Sequence, residues 1–242
     1  MARENKITVS IRRTAKEVKR YRIWMKLLPI CIALAAMMLI LGYVVSVLYM
    51  KFGAFTVSVN KFDNLDYALT LSESPGFEAY TSRLNAEISE TISNIDGNRD
   101  LPNYLDNIDG AHNGENYIAY TFYCKNAGKK TVTYSYEVYI VNADKQIERA
   151  IRIRLYVDGQ YQDYAYPRTD GVSGPEPGTV AFVNESTVTK GIIQHFKPND
   201  ITKYTIVIWL EGWDPDCVDK ILGGEFKVDM IMEVVSPEED II

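Results

Sequence analysis

The chain has 242 residues, a formal net charge of −6, three cysteines and only two histidines. His112 and His195 lie far apart without a His-Glu-x-x-His pattern, and no glycine-rich loop precedes a helix, so zinc hydrolysis and nucleotide chemistry find no motif here. No cofactor is expected, and nucleic acid is not an expected partner.

Charge is unevenly placed along the chain. Residues 1–26 hold nine lysines and arginines against Glu4 and Glu17, a net charge of +7, which leaves −13 for the residues that follow. Next comes an uncharged, mostly apolar run of 24 residues, 27–50, bounded by Lys26 and Lys51. At about 1.5 Å per residue, a helix of that length crosses a hydrocarbon core roughly 30 Å thick. Basic residues beside a membrane helix stay on the cytoplasmic side, where anionic headgroups attract them. The sequence therefore predicts a basic cytoplasmic tail (1–26), one transmembrane helix (27–50) and an extracellular domain (51–242) in the cell membrane, with the lipid bilayer as first partner.

A cleaved signal peptide would need a shorter apolar core and a small-residue cleavage site. The exit of this run, Val47-Leu48-Tyr49-Met50-Lys51-Phe52, has no such pattern, so a retained signal-anchor is expected. Thr14 to Tyr21 contains no breaker and lets the helix begin before the membrane; Pro29 is read as lying in the first turn of the span.

Beyond the anchor, tyrosines and β-branched residues favour sheet. Strands are expected at 54–60, 117–124, 131–141, 150–157, 179–183, 204–210 and 225–234. Tyr134, Tyr136, Val138 and Ile140 alternate with Thr133, Ser135, Glu137 and Tyr139, which buries one face and wets the other. Asp158-Gly159 reads as a tight hairpin turn joining 151–157 to 161–166. Strands so spaced predict a mostly β, antiparallel two-sheet sandwich, jelly-roll-like. One peripheral helix is expected over 77–95, where Leu84, Ile88, Ile92 and Ile95 recur every three or four residues. Long loops are expected at 96–116 and 167–178.

Candidate sites are few. Cys124 ends one strand and Cys217 follows another; on the oxidising side they form either one disulfide or, preferably, two separate thiols. Asp96, Asp100, Asp106 and Asp109 offer oxygens to calcium but lack the helix-hand spacing, so solvated acidic loops are the stronger reading. Asp214, Asp216 and Asp219 imitate glycosidase carboxylates, yet nothing in the sequence separates their ionisation, and a solvated turn is preferred. Tyr161, Tyr164 and Tyr166 are expected to pack as cross-strand pairs. Phe55, Val57 and Val59 either complete their own sheet or enter a neighbour's by strand exchange; the first is preferred.

The stretch from Tyr204 through Trp209, Glu211-Gly212 and Asp214-Pro215-Asp216-Cys217, followed by Leu222-Gly223-Gly224-Glu225 and on to Met230, resembles the camelysin/TasA-like extracytoplasmic proteins of Gram-positive bacteria. Residues 51–71 also look like that family's mature N-terminus. The resemblance implies a jelly-roll sandwich at the cell surface that in some members builds fibres from donated strands. A retained helix and basic tail depart from the family pattern and fit a tethered monomer, a fibre base or a subunit of a membrane assembly. The expected function is thus an anchored surface module with a structural or protein-interaction role, engaging other surface proteins or copies of itself. A carbohydrate- or peptide-binding sensor is the alternative, and a hydrolase ranks behind both.

Overall fold

A computed structural model describes residues 15–51, 55–60, 66–86 and 92–237. The chain divides into two compact units, Met1–Lys51 and Phe52–Ile242.

Among its described residues the first unit contains a single helix, α1 (Ala15–Lys51), of 37 residues. Its segment Lys19–Val44 is long and apolar enough to cross a membrane, and none of its 18-residue apolar window is buried. Large side chains stand open on every side: Trp24, Met38 and Leu39 are 68%, 77% and 75% exposed. Such a surface is hydrophobic all round, as a helix in lipid is. The helix begins ahead of the apolar run, as the unbroken 14–21 segment suggests. Pro29 consequently falls well inside α1 rather than in its first turn. Without an N–H, it leaves the carbonyl of Met25 lacking its usual donor.

The second unit is a sandwich of two sheets. One runs β11 (Thr187–Phe196), β7 (Val132–Ala143), β13 (Phe226–Pro237), β1 (Phe55–Val59), β3 (Arg83–Ala86). The other runs β10 (Val180–Ala181), β9 (Gln160–Ala165), β8 (Ile151–Val157), β12 (Ile201–Glu211), β6 (Tyr117–Asn126), β2 (Leu69–Ser72). Two short strands attach to this second sheet: β4 (Asn94–Ile95) pairs with β12, and β5 (Gly110–Ala111) with β6. Pairing is mainly antiparallel. Three contacts are parallel instead: β1 with β13, β10 with β9, and β12 with β4.

The main core lies between the sheets and follows the alternation read from sequence. Tyr134 and Val138 on β7, with Val228, Met230 and Met232 on β13, face Phe122, Tyr204, Ile206 and Ile153 across the gap. Phe122 and Tyr204 stack at 5.4 Å, and the hydroxyls of Tyr134 and Tyr204 share a 2.8 Å hydrogen bond. The Asp158-Gly159 turn has positive φ at both residues (49° and 81°) and pairs Val157 with Gln160, as a two-residue hairpin requires.

One sequence expectation changes and one alternative is resolved. The described part of 77–95 is not helical: Arg83–Ala86 is a strand paired with β1, setting Leu84 opposite Val57, and Asn94–Ile95 is another. The apolar spacing suits a helix, but an open edge of β1 offers backbone partners that outweigh local periodicity. Among the described residues of that region, helix is confined to one turn, α2 (Gly97–Asp100), capped by Asp96 accepting from Asn98 N at 3.0 Å. Phe55, Val57 and Val59 lie inside their own chain's sheet, between β13 and β3, and are 0%, 0% and 7% exposed. In this conformation β1 is an interior strand with both edges paired, not one open to exchange.

Candidate functional site

The outer face of the second sheet carries a small core of its own. Strand alternation puts Arg152, Arg154 and Tyr156 on the side of β8 away from Ile151, Ile153 and Leu155. Register then lines up Arg152 with Trp209 and Ala165, and Arg154 with Val207 and Asp163. Leu101 and Leu105 cover Ala119, Tyr156, Val207 and Trp209. The loop 96–116 is thus in part a lid over apolar surface.

Arg152 is the centre of the arrangement, and only 1% of it is exposed. Its Nη2 donates to Glu176 Oε2 at 2.7 Å and to Asp214, while Nη1 reaches the Ile151 carbonyl at 3.2 Å. Glu176 comes from the 167–178 loop and Asp214 from the turn after β12. The same two segments are stitched again by Thr169, whose N–H and hydroxyl both donate to Asp216. Asp214 is therefore a buried ion-pair partner and not part of a solvated turn. Its other oxygen accepts from Asp216 N at 2.7 Å.

Glu211 is 6% exposed, the other carboxylate held inside. Its Oε2 accepts from Gly97 N (3.1 Å) and Trp209 Nε1 (3.0 Å), and Oε1 from Trp213 N (3.4 Å). Gly97 must approach closely: a Cβ there would lie 2.5 Å from the Trp209 ring. Trp213 is 75% exposed, with its Nε1 donating to Asp96 Oδ2 at 3.1 Å. Beside these, Arg154 grips Asp163 with two bonds of 2.6 and 2.8 Å and lies 4.4 Å from the centre of the Tyr161 ring.

Between these groups is a crevice of about 50 Å³, lined by Asn98, Arg152, Asp163, Trp209, Glu211 and the 176–179 turn. That is room for one or two water-sized groups. Its carboxylates are engaged within the protein: Asp163 and Asp214 are bound in ion pairs, and Glu211 accepts three N–H donors. The sequence signal for this site was the pair Arg152 and Arg154, charged residues recurring at every second place along an apolar strand.

The remaining candidates are scattered. Asp96 caps α2, and Asp100 accepts from Asp96 N at 3.0 Å. Asp106 pairs with Lys203 at 2.9 Å and accepts from Thr205, while Asp109 accepts from Tyr123 at 2.6 Å. Among the described residues no three His, Cys, Asp or Glu side chains gather as a metal site, so these four aspartates do not form the calcium loop considered above. Their oxygens serve protein donors. His112 sits beside β5, its Nδ1 2.9 Å from the Gly110 carbonyl, whereas exposed His195 is on β11 of the other sheet. Tyr161 does pair across strands, 5.2 Å from Tyr156, and Tyr166 meets Phe182 edge-on at 5.9 Å.

Cys124 and Cys217 are both free. Cys124 stands opposite Thr202, while the segment carrying Cys217 leaves β12 only after Glu211, about 30 Å further along the strand. No disulfide spans that distance. Burial pushes the Cys124 thiol up to about 12, and burial followed by the Asp214 charge raises Cys217. A membrane-impermeant thiol reagent applied to folded protein is expected to modify Cys217 slowly and to spare Cys124, with both reacting after denaturation. Equal labelling of the two in the native state, read by peptide mass, contradicts the buried placement of Cys124.

No protein-family model matches the chain, and neither does any curated protein. Among solved structures it is similar to a crystal structure of beta-glucosidase from Kluyveromyces marxianus in complex with glucose, at 11% identity and a TM-score of 0.26. That match covers 72% of this chain and 17% of the enzyme's, and a likeness so slight carries no argument about fold or activity.

Proposed function

We propose that this chain is a membrane-anchored, extracytoplasmic β-sandwich with a structural or protein-interaction role at the cell surface, of the camelysin/TasA-like kind that residues 204–230 resemble. The observation that carries the proposal is α1: a 37-residue helix whose apolar segment has its described side chains exposed all round and follows a strongly basic stretch. Left in water, that surface would aggregate; in lipid it is satisfied. The positive charge ahead of it favours an inside N-terminus and an outside sandwich. A binding or scaffolding role is preferred to hydrolysis because Asp163 and Asp214, carboxylates at the sandwich's polar crevice, are held by arginines.

The test is cysteine mapping in intact cells, on a Cys217→Ser background. Glu185→Cys, at an exposed position of the sandwich, is expected to react with an impermeant maleimide from outside. Ser10→Cys is expected to react only after permeabilisation. The reverse pattern overturns the orientation. Intact mass from isolated membranes is expected to equal the full 27.5 kDa chain, and a product beginning near residue 52 removes the anchor from the proposal.

A further inference from the structure

We infer that the Arg152 crevice and the neighbouring Trp213 ring form a binding site for the end of an uncharged glycan. The inference extends the surface-module reading by naming a partner class, but the binding itself does not depend on which way the chain crosses the membrane.

Three observations carry it. First, Arg152 lines the crevice, is 1% exposed, and its Nε has no hydrogen-bond partner among the described residues. A buried, unmatched donor on a charged group is costly and points to an acceptor that arrives from outside the chain. Second, the other polar lining groups at the mouth accept or do both: Glu176 accepts, the Thr179 hydroxyl, whose proton goes to the Glu176 carbonyl at 2.7 Å, accepts as well, and the Asn98 amide can donate and accept. Third, Trp213 does not line the crevice but presents an open ring beside it, next to the lining residue Glu211. Its main-chain N–H is tied to Glu211, and its indole N–H to Asp96, two residues before Asn98. With the polar atom of the indole satisfied, what remains for a ligand is the flat apolar face.

A sugar answers all three demands at once. Its hydroxyls donate and accept from adjacent carbons, so one diol can give a proton to Glu176 and take one from Arg152. The carbon-bound hydrogens on one face of the ring pack on indole. About 50 Å³ admits a hydroxymethyl or diol group and leaves the ring outside, over Trp213. An extended peptide offers backbone donors and acceptors spaced along a strand and does not concentrate both in so small a space. Charge narrows the class. Asp163, Glu176, Glu211 and Asp214 surround the crevice in an outer part that already carries −13, which repels phosphorylated or uronic sugars.

The experiment uses the full chain in phospholipid nanodiscs, avoiding glycosidic detergents that would compete. Chitotetraose, cellotetraose and maltotetraose are titrated, with tryptophan fluorescence and calorimetry as readouts. At least one is expected to saturate, with a Kd between about 10 μM and 1 mM. Trp213→Ala, at an exposed position, and Glu176→Gln are each expected to weaken it about tenfold, whereas Trp213→Phe retains most of the affinity. If none of the three saturates by about 10 mM, if Trp213→Ala binds as well as wild type, or if a neutral tetrapeptide binds at the crevice in their place, the inference is overturned. Failure here leaves the cysteine map untouched, so loss of the glycan site and loss of the anchored topology are separately visible.

Discussion

Arg152→Ala is expected to be among the most destabilising single substitutions outside the main core, costing about 3–5 kcal/mol. The side chain is 1% exposed and is the cation shared by Asp214, itself 1% exposed at its side chain, and Glu176. Removing it strands a buried carboxylate charge whose remaining contact is one main-chain N–H, from Asp216. Most of the expected loss is the cost of that stranded charge rather than the net value of the ion pair, since burying both partners already offsets much of their attraction. Arg152→Met/Asp214→Asn is therefore expected to recover a large part of what Arg152→Ala loses, although it restores no charge pair. Denaturant titration of the reconstituted protein, followed by near-ultraviolet circular dichroism, reads both. An Arg152→Ala loss below about 1 kcal/mol would mean that the guanidinium is solvated and the crevice is not built as described. The 167–178 loop provides a local readout. Its anchors are Glu176 on Arg152 and Thr169 on Asp216, so its amide protons should exchange faster in the variant while the centre of β12 is little changed.

Alkaline pH is expected to unfold the sandwich well before ordinary base damage, and one buried cluster contributes strongly, beside Tyr120 and Tyr123, whose phenols burial also pushes up. Cys124, Tyr134 and Tyr204 are fully buried between the sheets, and the two tyrosine hydroxyls are 2.8 Å apart. Burial pushes the Cys124 thiol from 9.0 up to about 12 and holds both phenols above their ordinary 10.0, with Tyr134 adding to the shift of Tyr204. These groups are acids whose neutral form the fold favours. In the unfolded chain the thiol releases its proton near pH 9 and the phenols near pH 10, while the folded chain still holds them. Above pH 9 the unfolded state therefore binds fewer protons, and stability falls as pH rises.

Each such group contributes about 1.4 kcal/mol per pH unit. By pH 11 the thiol has removed nearly 3 kcal/mol and the two phenols nearly as much again, about 5 kcal/mol together. That equals the lower end of the net stability of an ordinary domain. Thermal melts between pH 7 and 11.5 are expected to be level to about pH 9 and then to fall steeply. Cys124→Ala should delay the onset towards pH 10, the point at which the tyrosines begin to titrate in the unfolded chain. A flat melting temperature through pH 11 is incompatible with a buried cluster of this kind.

The two loops expected from sequence become legible only as partners. Residue 97 is held by Glu211, residue 176 by Arg152 and residue 169 by Asp216, contacts between segments up to 114 residues apart. No window of sequence contains such a set. Asp214 illustrates the consequence: read along the chain, Asp214-Pro215-Asp216 is a solvated turn, yet the strand that carries Arg152 removes Asp214 from water. Thr187–Phe196, a ten-residue edge strand, escaped the sequence reading for a related reason. Lys190 and Gly191 interrupt its apolar pattern, and β7 supplies the pairing that local composition does not.

What the chain reveals unaided are the features governed by near neighbours. A continuous apolar run identifies the lipid-sized helix, because burial in hydrocarbon depends on length and the absence of charge. Period-two alternation identifies the inner faces of β7 and β13, because successive side chains of a strand point oppositely whatever the strand meets. Two positive φ values make Asp158-Gly159 a hairpin wherever it is placed. Tertiary structure decides which edges are filled and which charges are buried. Leu84 joins a strand because β1 has an edge to fill, and Arg152 is buried because residues from four other segments close over it. Those outcomes depend on backbone groups and charges that meet only after the sheets assemble, and no local propensity encodes them.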